Sequence, residues 1–343
     1  MTRERVVAFG PGRVNLIGEH TDYNGGLSLP FAIEDGVTVT ATARDGAEIE
    51  VRALDVGEHD RFALDDPGRA AGWRAFVRGV VAELRAAGLP VRAARLEITG
   101  TVPQGSGLSS SAALEVALCL ALLGLSGAED ADRTELAKLC SRVENDWVGA
   151  ETGLLDQMAA LLGAPDAALR IDFADLRVRR VPLRTAGWTL VTVDSGESHS
   201  LAASGYNERR RETTQASERL GIRFLSQAGR ADAERLPDVL RRRTLHVLDE
   251  NARVDATVDA LAHDDFALVG ELLDASHASL RDLYDASTDA VEATVRRLKD
   301  AGAAGARMMG GGFGGYVLAL FPPGAQRPAG ARIVSPGPGA RLL

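Results

Sequence analysis

The sequence predicts a globular fold that combines helices and strands, because short strand patterns and helical patterns both occur along the chain. Alternating apolar residues predict strands near Val6–Phe9, Val37–Ala43, Glu48–Ala53 and Ala94–Thr99. Helical spacing over Trp73–Ala87 ends at Gly88 and Pro90. The stretch Ala113–Leu123 is almost wholly apolar, which is typical of a helix buried against a sheet.

The composition is that of a globular protein. With 343 residues the chain can form one large or two ordinary domains, each with a buried core. Hydrophobic residues make up 45% and charged residues 25%. The net charge of −9 and the absence of a basic stripe argue against nucleic acid as a partner. No hydrophobic signal region and no run of 18 apolar residues occur, so we expect a cytoplasmic protein without a membrane partner.

Cysteine and lysine usage exclude two kinds of site. Cys119 and Cys140 lie in apolar periodic segments, which indicates reduced core residues rather than zinc ligands. The chain's two lysines, Lys138 and Lys299, stand outside its glycine-rich loops, so no Walker-type phosphate loop is present. Any nucleotide phosphate must therefore be bound in another way.

The segment Gly12–Phe31 concentrates polar groups between glycines. It contains Arg13, Glu19, His20 and Asp22, and it is too polar for a core strand and too rich in glycine for a helix interior. Two carboxylates and an imidazole suit a ligand dense in hydroxyl groups. A solvated polar turn explains the glycines equally well, so the residues alone leave both readings open.

A second segment, Val102–Ala112, follows a predicted strand and precedes the apolar helix. The start of such a helix presents unpaired backbone N–H groups and the positive end of the helix dipole. Glycines let the backbone approach a polyphosphate, and a serine hydroxyl can reach phosphate or magnesium. The alternative is an ordinary serine N-cap, although one cap needs one serine and this loop has four.

Two carboxylates follow on the next helices. Asp132 and Glu135 have capping-box spacing and open a helix whose apolar stripe is Leu136, Leu139, Cys140, Val143 and Trp147. Glu144 lies on the flank of that stripe, which predicts a half-buried carboxylate paired with a hard cation or with an arginine. Asp156 lies opposite the apolar face of the following helix, where an acid commonly complements the helix dipole.

The second half of the chain is predicted to be mainly helical. A strand over Thr189–Val193 precedes a helix that carries Tyr206 and the triplet Arg209–Arg211, which we expect to be a core-edge aromatic residue and a solvated face. Helical patterns fill Ala233–Ala262, Asp264–Leu280 and Asp289–Ala301. The glycine cluster Gly310–Gly315 precedes a strand over Tyr316–Phe321, and its backbone freedom predicts a close approach to another backbone or a ligand.

Taken in order, the three glycine-containing segments resemble the three motifs of the GHMP small-molecule kinases, and Gly12–Asn24 resembles the galactokinase signature within that superfamily. The resemblance implies an α+β fold of two domains, the GHMP kinase fold, with its active site in the interdomain cleft. Residues 1–175 would form the N-terminal domain, similar to domain 2 of ribosomal protein S5, and residues 176–343 the α+β C-terminal domain. Met309, Gly311 and a short segment after Phe321 depart from the pattern more usual in galactokinases.

The resemblance also implies a role for each motif residue. Asp156 would accept the proton of the anomeric hydroxyl of α-D-galactose, and Arg13 would stabilise charge during phosphoryl transfer from ATP. The implied sugar ligands are Glu19, His20, Thr21, Asp22, Gly153, Asp156 and Tyr206. The implied ATP loop is Gly105, Ser106, Gly107, Leu108, Ser109, Ser110 and Ser111. Ser111 and Glu144 would hold Mg²⁺.

Other members of the superfamily set the alternatives. A sister sugar-1-kinase acting on N-acetylgalactosamine or arabinose would share the nucleotide motifs, and a catalytically silent sugar sensor would share the fold. The expected partners are a sugar and ATP, and the expected assembly is a monomer or a weak homodimer.

Overall fold

A computed structural model describes residues 3–102, 107–197 and 205–343 of the chain. The strands are β1 (Arg5–Asn15), β2 (Leu27–Ser28), β3 (Pro30–Ala43), β4 (Glu48–Ala53), β5 (Glu58–Ala63), β6 (Ala94–Gly100), β7 (Ala167–Asp172), β8 (Arg177–Pro182), β9 (Thr189–Asp194), β10 (Gly305–Met308), β11 (Tyr316–Phe321), β12 (Arg332–Ile333) and β13 (Arg341–Leu342). The helices are α1 (Trp73–Ala86), α2 (Ser110–Ser126), α3 (Arg133–Arg142), α4 (Leu155–Leu162), α5 (Tyr206–Leu220), α6 (Arg230–Ala233), α7 (Asp238–Ala262), α8 (Phe266–Asp282) and α9 (Asp289–Asp300).

Three sheets organise these elements. The largest has the order β13-β1-β3-β6-β4-β5 and is antiparallel except for the parallel pair β4 and β6. A second sheet has the order β10-β11-β9-β12, and a small third sheet has the order β2-β7-β8. Helix α2 packs on β1 and β3, whereas α8 and α9 pack on β10. The α+β prediction is confirmed.

The predicted elements recur, but the first two predicted strands are longer than expected, since β3 already begins at Pro30. Strand β1 continues beyond Phe9 to Asn15 and pairs with β3 along its whole length, with an irregularity between Pro11 and Arg13. A β-bulge of this kind re-aims a side chain, so a strand can hold the polar Arg13 that made the segment look unsuitable for a core strand. The apolar helix α2 is buried on nearly all sides, as predicted.

The polar N-terminal motif is anchored on the second half of the chain. Val14, Leu16 and Phe31 share one buried apolar cluster with residues of α7, α8 and β11, among them Val254, Leu273 and Leu318. This cluster seats the first motif against elements that come more than 200 residues later.

Strand pairing crosses the predicted domain boundary. Residue 175 falls in the hairpin between β7 and β8, and β13 pairs with β1 in the first sheet. The division into residues 1–175 and 176–343 therefore stays a prediction, because both segments contribute to shared sheets.

The structure bears on the two cysteines and on membrane-spanning helices. Cys119 and Cys140 are buried free thiols whose sulfur atoms lie 3.6 Å apart. Within the described part of the chain, no helix is long and apolar enough to cross a membrane.

Candidate active site

A cavity of about 730 Å³ brings the separate motifs together. Its lining includes Arg13, Glu19, His20 and Asp22 of the first motif; Gly107, Ser109, Ser110 and Ser111 of the second; Glu144, Thr152, Gly153 and Asp156; Tyr206; and Gly310 and Gly311 of the third. Segments distant in sequence thus converge on one space. Gly105 and Ser106 lie outside the described residues.

Arg13 and Asp156 form an ion pair in the lining of this cavity. Nη2 of Arg13 lies 2.8 Å from Oδ1 of Asp156, and the guanidinium also donates through Nη1 to the carbonyl of Gly107. Arg13 is only 6% exposed, whereas a quarter of the Asp156 side chain remains accessible. The pair therefore places a fixed cation beside a carboxylate that a ligand can reach.

Glycines in β1 allow this arrangement. A Cβ on Gly10 would lie 2.1 Å from the carbonyl oxygen of Ala113, and one on Gly12 would lie 2.6 Å from that of Leu108. Only glycine permits β1 to approach the start of α2 so closely. The backbone N–H of Arg13 donates to Leu108 O at 3.0 Å, which joins the first motif to the second.

The serine loop does not behave as an ordinary helix cap. Ser109 is the N-cap of α2 and has a left-handed backbone with φ of 59°, yet its side chain makes no capping hydrogen bond. Its hydroxyl donates instead to Oδ2 of Asp156. Ser109, Ser110 and Ser111 all line the cavity, so the N-terminus of a 17-residue helix faces the space where an anion would lie.

Glu144 is fully buried, with 2% of its surface exposed, rather than half-buried as predicted. Helix α3 ends at Arg142 and gives way to a π-helical turn over Val143–Val148, which changes the direction of the following side chains. The Glu144 carboxylate accepts hydrogen bonds from Thr152 and Gln157 at 2.6 and 2.9 Å, and also from Ser111. Burial and then the charge of Asp156 raise its pKa.

The partners of Glu144 argue against the reading in which it pairs with an arginine. In the described residues it forms no ion pair with an arginine or lysine, so its hydrogen-bond partners are neutral donors. A hydroxyl and a carboxylate are the oxygen ligands that Mg²⁺ takes, and Mg²⁺ is usually held by only one or two carboxylates. Ser111 and Glu144 therefore fit the predicted ion. No cluster of three or more histidine, cysteine or acidic side chains suited to a metal occurs in residues 3–102, 107–197 and 205–343.

Asp22 lies against a glycine that cannot be replaced without a clash. A Cβ on Gly153 would lie 1.9 Å from Oδ2 of Asp22. Burial and then the charge of Asp156 raise the pKa of Asp22 to about 6. The two carboxylates thus share one region of the cavity, which is the geometry expected where a ligand's hydroxyl groups are bound.

His20 and Tyr206 form an aromatic wall beside Asp22. The ring centroids of His20 and Tyr206 are 5.3 Å apart, and Nδ1 of His20 lies 2.6 Å from the hydroxyl of Tyr23. Burial and then the neighbouring His246 lower the pKa of His20 to about 3, so the imidazole is neutral. Burial raises the pKa of Tyr206 well above its usual value, so its hydroxyl keeps its proton.

Glu19 is held by a residue that the sequence analysis did not single out. Arg307 is fully buried in β10; its Nη2 lies 2.9 Å from Oε1 of Glu19, and its Nη1 donates to the carbonyls of Asn15 and Leu16 at 2.9 Å. The N–H of Gly310 also donates to Oε1 of Glu19 at 2.8 Å. The sequence signal that could have indicated a role for Arg307 is its charge in an otherwise apolar stretch before the glycine cluster.

The arginine triplet is not a solvated face, which corrects the sequence prediction. Arg209 is buried and pairs with Glu212 at 2.6 Å, while Arg210 donates to the carbonyls of Glu151 and Thr152, the latter at 2.8 Å. Arg211 alone of the three is exposed. The carbonyls of the loop before Gly153 give Arg210 a partner, and no local pattern in the sequence could reveal it.

Two of the predicted ligands lie behind the cavity rather than in its lining. Thr21 is fully buried, and its hydroxyl oxygen lies 2.9 Å from Gly18 O and 2.8 Å from Leu27 O, so it closes its own loop. The Leu108 side chain is buried in the apolar cluster that contains Val14. Both residues support the site by shaping its backbone.

The cavity continues into an apolar end that the sequence analysis did not predict. The apolar side chains there are Val37, Val56, Trp73, Phe76, Ile98 and Leu114. They come from β3, α1, β6, α2 and the turn after β4. Their only sequence signal is strand or helix periodicity, which is the same for any core residue.

Comparison with known proteins agrees with this arrangement. Family models match residues 2–43 as the galactokinase galactose-binding signature, 75–164 as the GHMP kinase N-terminal domain and 257–338 as the GHMP kinase C-terminal domain. Galactokinase from Mycobacterium tuberculosis H37Rv is 44% identical over 92% of this chain and 89% of its own length. Galactokinase from Thermotoga neapolitana is 38% identical with the same coverage.

Solved structures show the same similarity. Lactococcus lactis galactokinase complexed with galactose superposes with a TM-score of 0.92, at 32% identity, over 100% of this chain and 96% of that one. Methanococcus jannaschii mevalonate kinase, at 18% identity and a TM-score of 0.65 over 93% and 91% of the two chains, shares the fold. On this evidence the chain belongs to the galactokinase family of the GHMP kinases.

Proposed function

We propose that this protein transfers the γ-phosphoryl group of ATP to the anomeric hydroxyl of α-D-galactose, giving galactose 1-phosphate and ADP. The observation that carries the proposal is the Arg13–Asp156 pair, which lies where the polar motif and the serine loop meet in one cavity. The relatives named galactokinase, and the galactose in the Lactococcus lactis complex, support the choice of sugar.

The polar end of the cavity suits the sugar. Glu19, His20, Asp22 and Tyr206 offer two carboxylates, a neutral imidazole and a phenol, which together can donate to and accept from several hydroxyl groups. Oε1 of Glu19 is engaged by Arg307 and Gly310, so its other oxygen is the one that would face a ligand. The backbone at Gly153 completes this wall.

The opposite end suits the nucleotide. The N-terminus of α2 would face the phosphates, and Gly107, Ser109, Ser110 and Ser111 line that part of the cavity. The apolar surface around Trp73, Phe76 and Leu114 would accept the flat adenine ring. The nucleotide would thus extend from the apolar end toward Asp156.

Asp156 and Arg13 would carry the chemistry. A sugar hydroxyl is a poor nucleophile at neutral pH, so a carboxylate that accepts its proton contributes typically about 10²–10⁴-fold to the rate. Arg13 lies beside the reacting groups and would stabilise the negative charge that spreads over the transferred phosphoryl group. Ser111 and Glu144 would hold Mg²⁺, which neutralises phosphate charge when bound.

A sugar panel with coupled ADP detection tests the proposal. Galactose-dependent ADP release with a strong preference over N-acetylgalactosamine and arabinose is the expected result. Asp156→Ala and Arg13→Ala should each lower kcat by at least about 100-fold. Higher efficiency with either other sugar would identify a sister kinase, and the absence of sugar-dependent ADP release would identify a silent sensor.

The expected location and assembly of the protein are also part of the proposal. We propose that the protein acts in the cytoplasm as a monomer or weak homodimer. Light scattering over a range of protein concentrations checks the assembly, and a tight higher oligomer would contradict it.

A further inference from the structure

A second carboxylate lies behind Glu144, outside the cavity. Glu115 is on the second turn of α2 and Gln157 follows Asp156 in α4, and both side chains are fully buried. Nε2 of Gln157 lies 2.9 Å from Oε2 of Glu144 and 3.3 Å from Oε2 of Glu115. Gln157 therefore links the two carboxylates.

The amide of Gln157 has one orientation that serves both neighbours. Its NH₂ group has two protons, one for each carboxylate, whereas the reversed amide would turn its oxygen toward two acceptors. Thr152 also donates to Oε2 of Glu144, at 2.6 Å. Thr152 and Gln157 together hold Oε2, so they fix the orientation in which the Glu144 carboxylate faces Ser111 in the lining of the cavity.

The burial of Glu115 is energetically unfavourable at its position in α2. It is an acidic side chain in a helix that is otherwise almost entirely apolar, and burying a carboxylate is unfavourable unless it gains partners. Its one hydrogen bond in the described residues is the long one to Gln157, and Oε1 of Glu115 and Oε1 of Gln157 have no hydrogen-bond partner there. Burial and then the charge of Glu144 raise its pKa well above the usual value. Packing alone does not require a carboxyl group here.

We propose that Glu115 and Gln157 are positioning residues, with Glu115 fixing the Gln157 amide and Gln157 fixing the Glu144 carboxylate in the orientation that binds the metal ion. The inference rests on the proposed magnesium role of Glu144. Partners that orient a metal ligand without touching the metal typically change metal affinity by about 10- to 100-fold when they are removed.

The test measures how much Mn²⁺ strengthens ADP binding, by calorimetry with Mn²⁺ and with EDTA. Gln157→Met should lower this enhancement by about 10-fold or more, while ADP affinity in EDTA stays within about two-fold of the parent. Glu115→Met should lower it by about five-fold, and the matched variant Glu115→Gln, which keeps an oxygen acceptor, should stay within about two-fold. A general structural role would change ADP affinity in both conditions.

Two outcomes separate this inference from the proposed function. If Glu144→Gln abolishes the Mn²⁺ effect but Gln157→Met and Glu115→Met both keep it, the positioning role is wrong and the metal assignment stands. If Glu144→Gln also keeps the Mn²⁺ effect, the metal assignment itself is wrong. Should Gln157→Met fail to fold, Gln157→Asn retracts the amide by one methylene and carries the same expected loss.

Discussion

Replacement of Gly153 by alanine is the sharpest single test of the sugar pocket. The new Cβ would lie 1.9 Å from Oδ2 and 2.4 Å from Cγ of Asp22, whereas ordinary contacts begin near 3.4 Å. Asp22 must therefore move by about 1.5 Å, which is too far to keep a hydrogen bond with a sugar hydroxyl. Ser109 and Arg13 bind Asp156 and not Asp22, so the nucleotide side should stay in place.

The size of the effect follows from the bond that is lost. A hydrogen bond to a charged group contributes about 1.5–3 kcal/mol, and each 1.4 kcal/mol is tenfold, so kcat/KM for galactose should fall by about 10- to 150-fold. Steady-state kinetics with each substrate varied in turn should show this loss for the sugar, with KM for ATP within about two-fold. Gly229→Ala, whose Cβ meets only one atom at 3.5 Å, is the control. An unchanged sugar KM in Gly153→Ala would refute the placement of Asp22 at the sugar.

Four further predictions concern charge and packing. Arg307→Met leaves Glu19 buried without its cation, so the free energy of unfolding measured in urea should fall by ~3–5 kcal/mol and the sugar KM should rise. The double variant that also carries Glu19→Gln should recover stability but not sugar binding. Because the pKa of Asp22 is raised to about 6, galactose affinity should fall as pH drops through that value. Because this pKa is 3.8 in the unfolded chain and about 6 in the folded protein, protonated Asp22 favours folding at low pH, and that contribution is lost as the pH rises from 3.8 through 6. Asp22→Asn should therefore gain thermal stability over the parent across this range. An equal melting temperature at all pH values would contradict the shift in pKa. Gly10→Ala places a Cβ 2.1 Å from the Ala113 carbonyl, so kcat should fall with little change in either KM, provided circular dichroism shows a folded protein.

Local patterns in the sequence were sufficient for much of the fold. Strands β4 and β11 have the predicted bounds, and the helix predicted to open at Asp132 does so, with the Asp132 carboxylate accepting from the Glu135 N–H at 2.9 Å. The Glu135 carboxylate pairs with Lys138 and does not complete a capping box. These features depend on residues within a few positions of one another. The pairing of β13 with β1 depends on contacts across the whole chain, which periodicity does not report.

The candidate site also contains residues that local patterns indicate and residues whose partners come from distant segments. Arg13 and Asp22 stand out as charged groups among glycines, whereas no local pattern marks Asp156 as catalytic and its role was implied by the family resemblance alone. Arg307 and Gln157 were missed because their partners, Glu19 and Glu144, come from other segments. The burial of Glu144 was underestimated because an α-helical repeat was assumed where the chain forms a π turn.

The proximity of Asp22 and Asp156 has a consequence for the order of events in the proposed reaction. Part of the rise in the pKa of Asp22 comes from the negative charge of Asp156. Once Asp156 has taken up the proton of the sugar, that repulsion disappears and the pKa of Asp22 falls, so its ionised form, which accepts hydrogen bonds from the sugar, is favoured more strongly. The enzyme would then bind the sugar more tightly during phosphoryl transfer than in the initial complex, so part of the binding energy would raise kcat instead of lowering KM.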